Sequence, residues 1–204
     1  MPDRTTLYPQ LILASSSPRR LDLLAQIGVK PGRIVSPDID ETPLRDEKPG
    51  DYAARLALEK ARAAIAEARA ANMEEGTIVL GGDTTVALGR RILHQARDQA
   101  EVARFLAKLS GRRHTVWSAV AVIAADGKER RRLTKNIVKF KRLSPEEIAA
   151  YAASGEGVGK AGGYAIQGRA AGLIDFLSGS YSGVVGLPLF EARALLKAAG
   201  LPLG

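Results

Sequence analysis

Strand-like and helix-like segments alternate through the first part of this 204-residue chain, and that alternation limits the folds open to it. Residues 11–14 are an apolar run typical of a buried strand, and residues 18–28 follow as a helix closed by Gly28. Residues 33–41, "RIVSPDIDE", predict a second strand that leads into a loop, with Glu41 at its end. Strands that alternate with helices favour an α/β fold.

A long helix is predicted from about Asp51 to Ala71. At 3.6 residues per turn, one side is a stripe of alanines and the opposite side is charged. Lys60 lies at the border of the stripe, beside Leu56. The alanines are Ala53, Ala57, Ala61, Ala64 and Ala68, and the charged residues are Arg55, Glu59, Arg62 and Arg69.

The later part of the chain predicts a hairpin. Residues 77–88, "TIVLGGDTTVAL", form a strand pattern interrupted by two glycines. Farther on, "HTVWSAVAVIAA" and the cationic residues 128–142 flank Asp126-Gly127, which is a hairpin signal. A sheet built first from alternating units and then from a hairpin is expected to be mixed.

Two helix starts carry capping signatures. Asp98 with Glu101 predicts a helix that ends at Gly111, and Ser144 with Glu147 predicts a second one, with a proline at its first position. A glycine-rich loop and short strands follow, and Pro188 opens a C-terminal helix. Because no repeat or long linker divides the chain, we expect one domain over residues 1–204.

Composition narrows the class of protein. The apolar content of 46% is typical of a globular chain with a real core. The absence of cysteine excludes a disulfide framework and thiolate metal sites, and it fits a reducing compartment. The start, "MPDRTTLYPQ", lacks the apolar stretch of a secretory signal, and the run at 119–125 is too short to span a bilayer. We therefore expect a soluble, cytoplasmic protein with no membrane partner.

The net charge of +8 is concentrated in residues 128–142, which hold eight basic residues and one acid. Val138 and Phe140 share one parity of this segment, and the other parity holds Lys135, Lys139 and Lys141. This pattern predicts a half-buried strand with a cationic outer face, for which a solvated edge strand is a sufficient explanation. Aromatic platforms and nucleic-acid-binding motifs are missing, which argues against a nucleic-acid partner. A positive surface would also attract a polyanionic small substrate.

The stretch "LASSSPRR", residues 13–20, joins the first strand to its helix. Ser17 is placed as the N-cap and Pro18 as the first helical residue. Arg19 and Arg20 then stand in the first turn, where cations oppose the helix dipole unless an anion binds there. A serine-rich turn before a helix also presents free backbone amides. The pattern favours a phosphate site over ordinary surface arginines.

Residues 157–162, "GVGKAG", match G-x-G-x-x-G in the wrong context. They follow a helix and precede the strand-like "YAIQG", whereas a dinucleotide fingerprint follows a strand and opens a helix. A Walker loop is excluded, because Ser154 and Ala161 occupy positions that it reserves for Gly and for Ser or Thr. The segment is interpreted as a flexible turn in which Lys160 could still approach a phosphate closely.

Two carboxylates stand out by their placement. Asp83 follows two glycines inside an apolar strand, where an unpaired charge is costly, so it needs a cation, a metal or donors nearby. With Glu41 it offers hard oxygen ligands of the kind that suit Mg or Mn. A turn-forming Asp and a solvent-facing Glu are the alternatives. His94 and His114 share no metal-like spacing, which favours core or surface roles for both.

Seven segments, in this order and over nearly the whole chain, resemble the Maf family of nucleoside triphosphate pyrophosphatases. They are "LASSSPRR" (13–20), "DIDE" (38–41), "LALEKA" (56–61), "LGGDTTV" (80–86), "LSGRRH" (109–114), "KAGGYAIQG" (160–168) and "GSYSGVVGLPL" (179–189). The resemblance implies an α/β fold with an elongated mixed β-sheet flanked by helices, two lobes and a central cleft, similar to that of inosine triphosphatases. It also implies a homodimer.

The same resemblance implies hydrolysis of a nucleoside triphosphate to the monophosphate and pyrophosphate, with a divalent metal, Mg or Mn. By position, the residues that would hold phosphates are Ser15, Arg19, Arg20, Lys60 and Lys160. Glu41 and Asp83 would bind metal or activate water, and Thr84 and Gln167 would help to read the base. The subgroup resembling dTTP/UTP pyrophosphatases has Arg, Thr and Gln where this chain has Arg20, Thr84 and Gln167, which favours dTTP and UTP over 7-methyl-GTP.

The chain departs from the family pattern at several positions. His94, Gln95 and Ala96 stand where Gly-Lys-Pro is common, so one phosphate-contacting lysine is expected to be missing. Gly159 replaces the usual Asp, and Asn136 replaces a common Thr. The alternative functions are a pyrophosphatase for a modified or purine nucleotide, and a non-enzymatic regulator that binds nucleic acid or cell-division proteins.

Overall fold

A computed structural model describes residues 5–71 and 76–203, so residues 1–4 of the N-terminal segment considered above lie outside it. Its strands are β1 (Thr6–Ala14), β2 (Val29–Val35), β3 (Ile78–Leu88), β4 (Arg91–Leu93), β5 (Arg113–Ile123), β6 (Glu129–Phe140) and β7 (Ile174–Ser178). Its α-helices are α1 (Pro18–Gln26), α2 (Pro49–Ala70), α3 (Gln99–Leu109), α4 (Pro145–Ala153), α5 (Tyr181–Val185) and α6 (Leu189–Ala198). A 3-10 helix spans Arg169–Leu173.

The strands form one mixed sheet in the spatial order β2-β1-β3-β5-β6-β7, with β4 paired to β3. The pairs β1–β2 and β1–β3 are parallel, and the remaining pairs are antiparallel. The predicted α/β class with a mixed sheet flanked by helices is confirmed. The last parallel pair joins Ala14 to Gly81, so β1 stops there while β3 continues to Leu88. This leaves an opening beyond the carboxyl end of β1, where ligands usually bind in open α/β sheets.

Helices cover both faces of the sheet. Leucines of α1 and α6 pack on one face against β1, β3 and β5, with Leu24 and Leu196 fully buried. On the other face the predicted alanine stripe of α2 is confirmed, since all five alanines are at most 2% exposed. No helix within the described ranges is long and apolar enough to cross a bilayer.

Gly81 explains how closely α2 lies against β3. A Cβ added at this glycine would be 2.3 Å from the carbonyl oxygen of Ala57, far inside van der Waals contact. The absence of a side chain in β3 and the small side chains of α2 therefore act together, and they bring the backbones of helix and strand into contact.

The second strand differs from the prediction at both ends. β2 begins at Val29 and ends at Val35, so Glu41 lies in a loop and not at the end of a strand. Pro31 and Gly32 weaken the strand signal inside β2. Pro37 then follows the strand, and a proline cannot donate to a sheet ladder.

The prediction of short strands after the glycine-rich loop was also wrong in part. The segment "YAIQG", residues 164–168, forms turns, and β7 is the one strand described after it. Gly162 and Gly163 adopt φ values of 69° and 73°, a left-handed conformation that breaks a strand. Tyr164 and Ile166 are buried because the loop packs on the cluster around Phe105 and Phe140.

The capping predictions have different outcomes. At α4 both halves of the capping box form, with Ser144 Oγ accepting from the Glu147 amide at 3.2 Å and Glu147 Oε2 accepting from the Ser144 amide at 2.9 Å. At α3 Asp98 caps the Glu101 amide at 2.7 Å, but the Glu101 carboxylate accepts from the amide of Arg97. Ser17 occupies the N-cap of α1 without a side-chain cap.

The cationic segment is an edge strand along only part of its length. Residues 137–140 of β6 pair with β7, whereas residues 129–136 have only β5 as a strand partner among the described residues. The predicted parity is confirmed, since Val138 and Phe140 are fully buried. Lysines of the segment also have partners within the fold: Lys139 Nζ lies 2.7 Å from an Asp175 carboxylate oxygen.

Candidate active site

A cavity of about 250 Å³ opens beyond the carboxyl end of β1. Its walls come from the start of α1, the loop after β2, Lys60 of α2, the middle of β3, the glycine-rich loop and the end of α5. The structure brings all nine site residues predicted from the sequence to this cavity. They are Ser15, Arg19, Arg20, Glu41, Lys60, Asp83, Thr84, Lys160 and Gln167.

Arg20 lies in the cavity wall and is only 9% exposed. Its Nε donates to the carbonyl oxygen of Gly186 at 2.9 Å, and its Nη1 donates to Ser15 Oγ at 2.8 Å. Gly82 leaves room for it, since a Cβ at that position would lie 3.3 Å from the guanidinium Nε. Burial lowers the pKa of Arg20, and the nearby Asp83 carboxylate acts in the opposite direction. The two hydrogen bonds hold the Arg20 guanidinium in one orientation.

Arg19 and Lys160 line the same cavity. The Nε of Arg19 is buried and has no hydrogen-bond partner within residues 5–71 and 76–203. Burial lowers the pKa of Arg19, and burial together with the Arg19 charge lowers the pKa of Lys160. A buried donor without a partner costs free energy, and so does a desolvated cation. An anion bound between these two side chains would offset both costs.

Lys60 joins the two predicted carboxylates. Its Nζ lies 2.9 Å from Asp83 Oδ1 and 2.8 Å from Glu41 Oε1. Asp83 is 7% exposed and accepts a second hydrogen bond from Thr85 Oγ1 at 2.9 Å. The partner that the sequence required for Asp83 is therefore the lysine of α2. Sequence reasoning had placed both residues in the site but had not paired them.

The spacing along β3 and α2 produces this contact. Gly81 and Asp83 are two residues apart in a strand, so they face the same side of the sheet, towards α2. Ala57 meets Gly81, and Lys60 lies almost one helical turn farther along α2. The close approach at Gly81 thus sets the distance between Lys60 and Asp83.

The donor set can be tested for the divalent metal that the family resemblance implies. Glu41 and Asp83 direct one carboxylate oxygen each towards a common point, the Lys60 ammonium. No group of three or more His, Cys, Asp or Glu that could hold a metal occurs in the described part of the chain. Mg²⁺ is commonly bound by one or two carboxylates together with substrate phosphates and water. Two carboxylates in a cavity that is also lined by Arg19, Arg20 and Lys160 fit that pattern.

Thr84 and Gln167 lie on different walls. Thr84 Oγ1 donates to the Gly186 carbonyl at 3.2 Å, the same oxygen that accepts from Arg20. Gln167 is exposed at the rim, in a segment fixed by a hydrogen bond of 3.1 Å from the Ala165 amide to the Tyr151 hydroxyl. The Gly186 carbonyl was missed by sequence reasoning, because a backbone acceptor leaves no signal in the side-chain pattern.

The positions that depart from the family pattern fall into two groups. Gln95 lines the cavity, whereas His94 faces an adjoining space beside Glu41 and Asp83. Asn136 is fully buried, donating to the Val116 carbonyl at 3.0 Å and accepting from the Ser180 amide at 2.8 Å. Gln95 is therefore part of the cavity wall, whereas Asn136 connects β6 to the start of α5.

The two histidines have the core and surface roles expected for them. His114 is 3% exposed and lies 2.7 Å from the Tyr164 hydroxyl, inside the cluster that supports the glycine-rich loop. His94 is exposed, with Nε2 3.3 Å from Glu101 Oε1. Hydrogen bonds from Arg97 hold the pKa of Glu101 down at about 2.

Comparison with known proteins gives consistent results. A family model described as Maf-like protein matches residues 10–199. A protein of Sphingopyxis alaskensis named dTTP/UTP pyrophosphatase is 60% identical, over 96% of this chain and 100% of its own length. Proteins with the same name from Novosphingobium aromaticivorans and Caulobacter vibrioides are 60% and 56% identical, over 95% and 94% of this chain and 93% and 96% of their own lengths.

Proposed function

Because the chain belongs to the family of Maf-like proteins, we propose that it hydrolyses nucleoside triphosphates to the monophosphate and pyrophosphate, with dTTP and UTP preferred. The names of relatives at 56–60% identity support the reaction and the two bases. Near-complete coverage of both chains supports carrying the whole activity over, and not only a shared domain.

The observation that carries the proposal is the charge pattern of one cavity. Cations from α1, α2 and the glycine-rich loop meet two carboxylates from β3 and the loop after β2. The cations suit a triphosphate, and the carboxylates suit a metal or an attacking water. A site for a neutral or cationic ligand would not need Arg19, Arg20 and Lys160 around the same space.

In the proposed reaction a water oxygen attacks the α phosphorus in line with the oxygen that bridges to the β phosphorus. The new P–O bond forms as the bridging P–O bond breaks, and pyrophosphate leaves with the bridging oxygen. Asp83 accepts the proton of the water, and Glu41 shares that task. Arg19, Lys60 and Lys160 meet the negative charge of the phosphates, since positioning and electrostatics dominate phosphoryl transfer.

Glu41 and Asp83 would hold the divalent metal, Mg or Mn, which when bound supplies positive charge that neutralises the phosphates. Lys60 contacts both carboxylates, so it can balance their charges before and after each turnover. The contact with Lys60 gives the buried Asp83 carboxylate a counter-charge within the fold.

Base selection is assigned to Arg20, Thr84 and Gln167. Arg20 and Thr84 are fixed by the Gly186 carbonyl, so the remaining Arg20 donors and the Thr84 hydroxyl oxygen, as an acceptor, have a defined orientation before a base arrives. Gln167 offers both a donor and an acceptor from the exposed rim. A pyrimidine 2,4-dione also presents donors and acceptors side by side, which suits this set.

The test is a panel of nucleotides supplied with Mg or Mn, scored for pyrophosphate and for orthophosphate. We expect pyrophosphate and monophosphate in equal amounts, with the highest kcat/KM for dTTP and UTP. Release of orthophosphate would contradict cleavage between the α and β phosphates. A preference for a purine or modified nucleotide, such as 7-methyl-GTP, would keep the reaction and overturn the assignment of the base.

The assembly and the location are further parts of the proposal. A homodimer is proposed on the family resemblance, and sedimentation velocity of the purified chain would test it. A cytoplasmic location is proposed because the chain has no cysteine, which fits a reducing compartment. Fractionation of cells expressing the tagged protein would test the location.

A further inference from the structure

Glu41 is carried by a segment that has no regular secondary structure of its own. Residues 36–48, all of them described, lie between the end of β2 and the start of α2 without forming a helix or strand. The Glu41 side chain is 47% exposed, yet its carboxylate lies 2.8 Å from Lys60 Nζ. Something outside the sheet must therefore fix the segment at this point, because an exposed ion pair alone contributes little.

Arg55 of α2 reaches back to that segment. Its Nε and Nη2 donate to the two carboxylate oxygens of Glu47 at 2.7 and 2.8 Å, and its Nη1 donates to Glu59 at 3.0 Å. The same Nη2 also donates to the carbonyl oxygen of Thr42, the residue that follows Glu41, at 3.2 Å. The guanidinium of Arg55 thus binds the segment at two points, Glu47 and Thr42, and Thr42 directly follows Glu41.

Further hydrogen bonds brace both sides of Glu41. The Tyr52 hydroxyl donates to the Glu41 carbonyl at 2.8 Å, and Asp40 accepts from the Thr42 amide at 2.8 Å. Glu47 accepts from the Leu44 amide at 3.0 Å. Because one turn of α2 carries both Tyr52 and Arg55, the helix that supplies Lys60 also holds the backbone on which Glu41 sits.

The pair of Arg55 and Glu47 is shielded from solvent. Their side chains are 20% and 8% exposed, far less than that of Glu41. Hydrogen bonds with Glu47 raise the pKa of Arg55, and hydrogen bonds from Arg55 lower the pKa of Glu47. Both groups therefore stay charged across the pH range in which the protein would work.

We propose that Arg55, through its pairing with Glu47 and the Thr42 carbonyl, is a positioning residue that holds Glu41 against Lys60 for the hydrolysis. This role rests on the proposed function, since it acts on a carboxylate assigned to that reaction. Arg55 is not among the residues that line the cavity shared by Glu41 and Lys60, so its effect passes through Glu41.

The chain offers a matched control two helical turns farther along α2. Arg62 makes the same kind of two-point contact, with its Nε and Nη2 each 2.7 Å from a carboxylate oxygen of Glu129. Glu129 belongs to β6 and not to residues 36–48. Arg62→Ala therefore removes a two-point ion pair, although a more exposed one, from the same helix without releasing Glu41.

The experiment is a double-mutant cycle in the full chain, with dTTP as substrate. Arg55→Ala is expected to lower kcat by about tenfold or more with a smaller change in KM, since small displacements of catalytic groups have effects of this size. Arg62→Ala should stay within about twofold of the wild type. In a Glu41→Gln background, Arg55→Ala should cost less than about twofold, because the two substitutions remove one function. Arg55→Lys should restore part of kcat.

Equal losses from Arg55→Ala in the wild-type and Glu41→Gln backgrounds would overturn the positioning role, and so would a wild-type kcat in Arg55→Ala. If Arg55→Ala does not fold, Glu47→Gln replaces it in the cycle, with the same expected outcome. An inactive wild type, or one that releases orthophosphate, would overturn the proposed function itself. An active wild type with additive losses would overturn only the role of Arg55.

Discussion

Asp83 is a buried acid whose charge is balanced from within the fold. Lys60 and Thr85 together occupy both of its oxygens, at 2.9 Å each. Removing a buried carboxylate from water is costly unless such partners are present. Packing around Asp83 also explains the two glycines that precede it in β3. The absence of a side chain at Gly81 leaves room for α2, and its absence at Gly82 leaves room for Arg20.

Asp83→Asn should reduce kcat by about a hundredfold or more, because the amide cannot accept the proton of the attacking water. The size of the side chain is kept and its amide oxygen can still accept from Lys60, so the fold should survive. The measurement is steady-state pyrophosphate release. Asp126→Asn, in the turn between β5 and β6, is the matched control and should leave kcat unchanged. An unaltered kcat in Asp83→Asn would remove this residue from the mechanism.

Arg20→Ala should lower kcat/KM for dTTP by about 10- to 100-fold, the value of a hydrogen bond to a charged group. It also removes one hydrogen bond each from Ser15 and from the Gly186 carbonyl, so urea unfolding should be recorded alongside the kinetics. Arg33→Ala, which removes an exposed arginine paired with Glu67, serves as the control. Wild-type kcat/KM in a folded Arg20→Ala variant would exclude Arg20 from substrate binding.

At the scale of elements, the packing of α2 on β3 connects stability to the site. The alanine stripe and Gly81 allow the helix and strand to touch, and Lys60 reaches Asp83 from that position. A disturbance of this contact should therefore appear both in unfolding and in turnover.

Gly81→Ala is expected to destabilise the protein by about 1–3 kcal/mol, because the new methyl group would overlap the Ala57 carbonyl. Turnover should fall as well, since α2 must shift and carry Lys60 with it. Gly172→Ala is the control, because nothing lies within 4 Å of a Cβ at that glycine. Urea titrations of both variants give the comparison. Equal stability of the two would contradict the close contact inferred for α2.

Sequence patterns predicted the elements that are specified locally. The Asp126-Gly127 turn, the cap at Ser144 and the alanine face of α2 depend on neighbours in the chain or on a helical period, and all three are present. The second strand and the "YAIQG" segment depend on tertiary packing instead. Val29–Val35 is a strand although it contains Pro31 and Gly32, because β1 provides its pairing partner.

The candidate site shows the same division. Sequence patterns alone nominated Arg19, Arg20, Glu41, Asp83 and Lys160, and the family resemblance added the other four of the nine predicted residues, all of which line the cavity. It could not reveal that Lys60 contacts Glu41 and Asp83 together, because the three residues come from a helix, a loop and a strand far apart in the chain. The hydrogen bonds from Arg55 to Glu47 and to the Thr42 carbonyl could not be predicted either, since the pattern showed only a charged helix face. The roles of the nine residues stay predictions until the variants are measured.

At the scale of the whole molecule, the excess positive charge is partly compensated. Lys139 and Lys141, in the most basic segment, pair with Asp175 and Glu147 at 2.7 and 2.6 Å. The remaining charge would steer an anionic substrate and would make association sensitive to salt. The nucleic-acid regulator considered above would instead be favoured by an affinity for DNA that falls steeply with salt. Reversing the charge at Lys135 should then abolish that affinity.

Acid should destabilise the protein through His114 before the carboxylates titrate. Burial lowers the pKa of His114 to about 4, from a usual value of 6.5. Below pH 6.5 the unfolded chain therefore binds a proton that the folded chain does not, and stability falls with pH. Between pH 6.5 and 5 we expect a loss of about 1–2 kcal/mol.

Urea unfolding at several pH values would measure that loss, and His114→Phe should flatten it. His94→Gln is the control, because His94 is exposed. The effect matters for the whole molecule, since His114 bonds Tyr164 and so ties β5 to the loop that presents Lys160. A pH profile that His114→Phe leaves unchanged would contradict a neutral, buried His114.

The Gly186 oxygen serves Arg20 and Thr84 together, and both of its lone pairs are thereby engaged. Neither side chain can be reoriented without losing its hydrogen bond to this shared oxygen. Attempts to redesign this protein for a different nucleobase should therefore begin with the backbone of residues 179–187, because the position of one carbonyl orients both side chains.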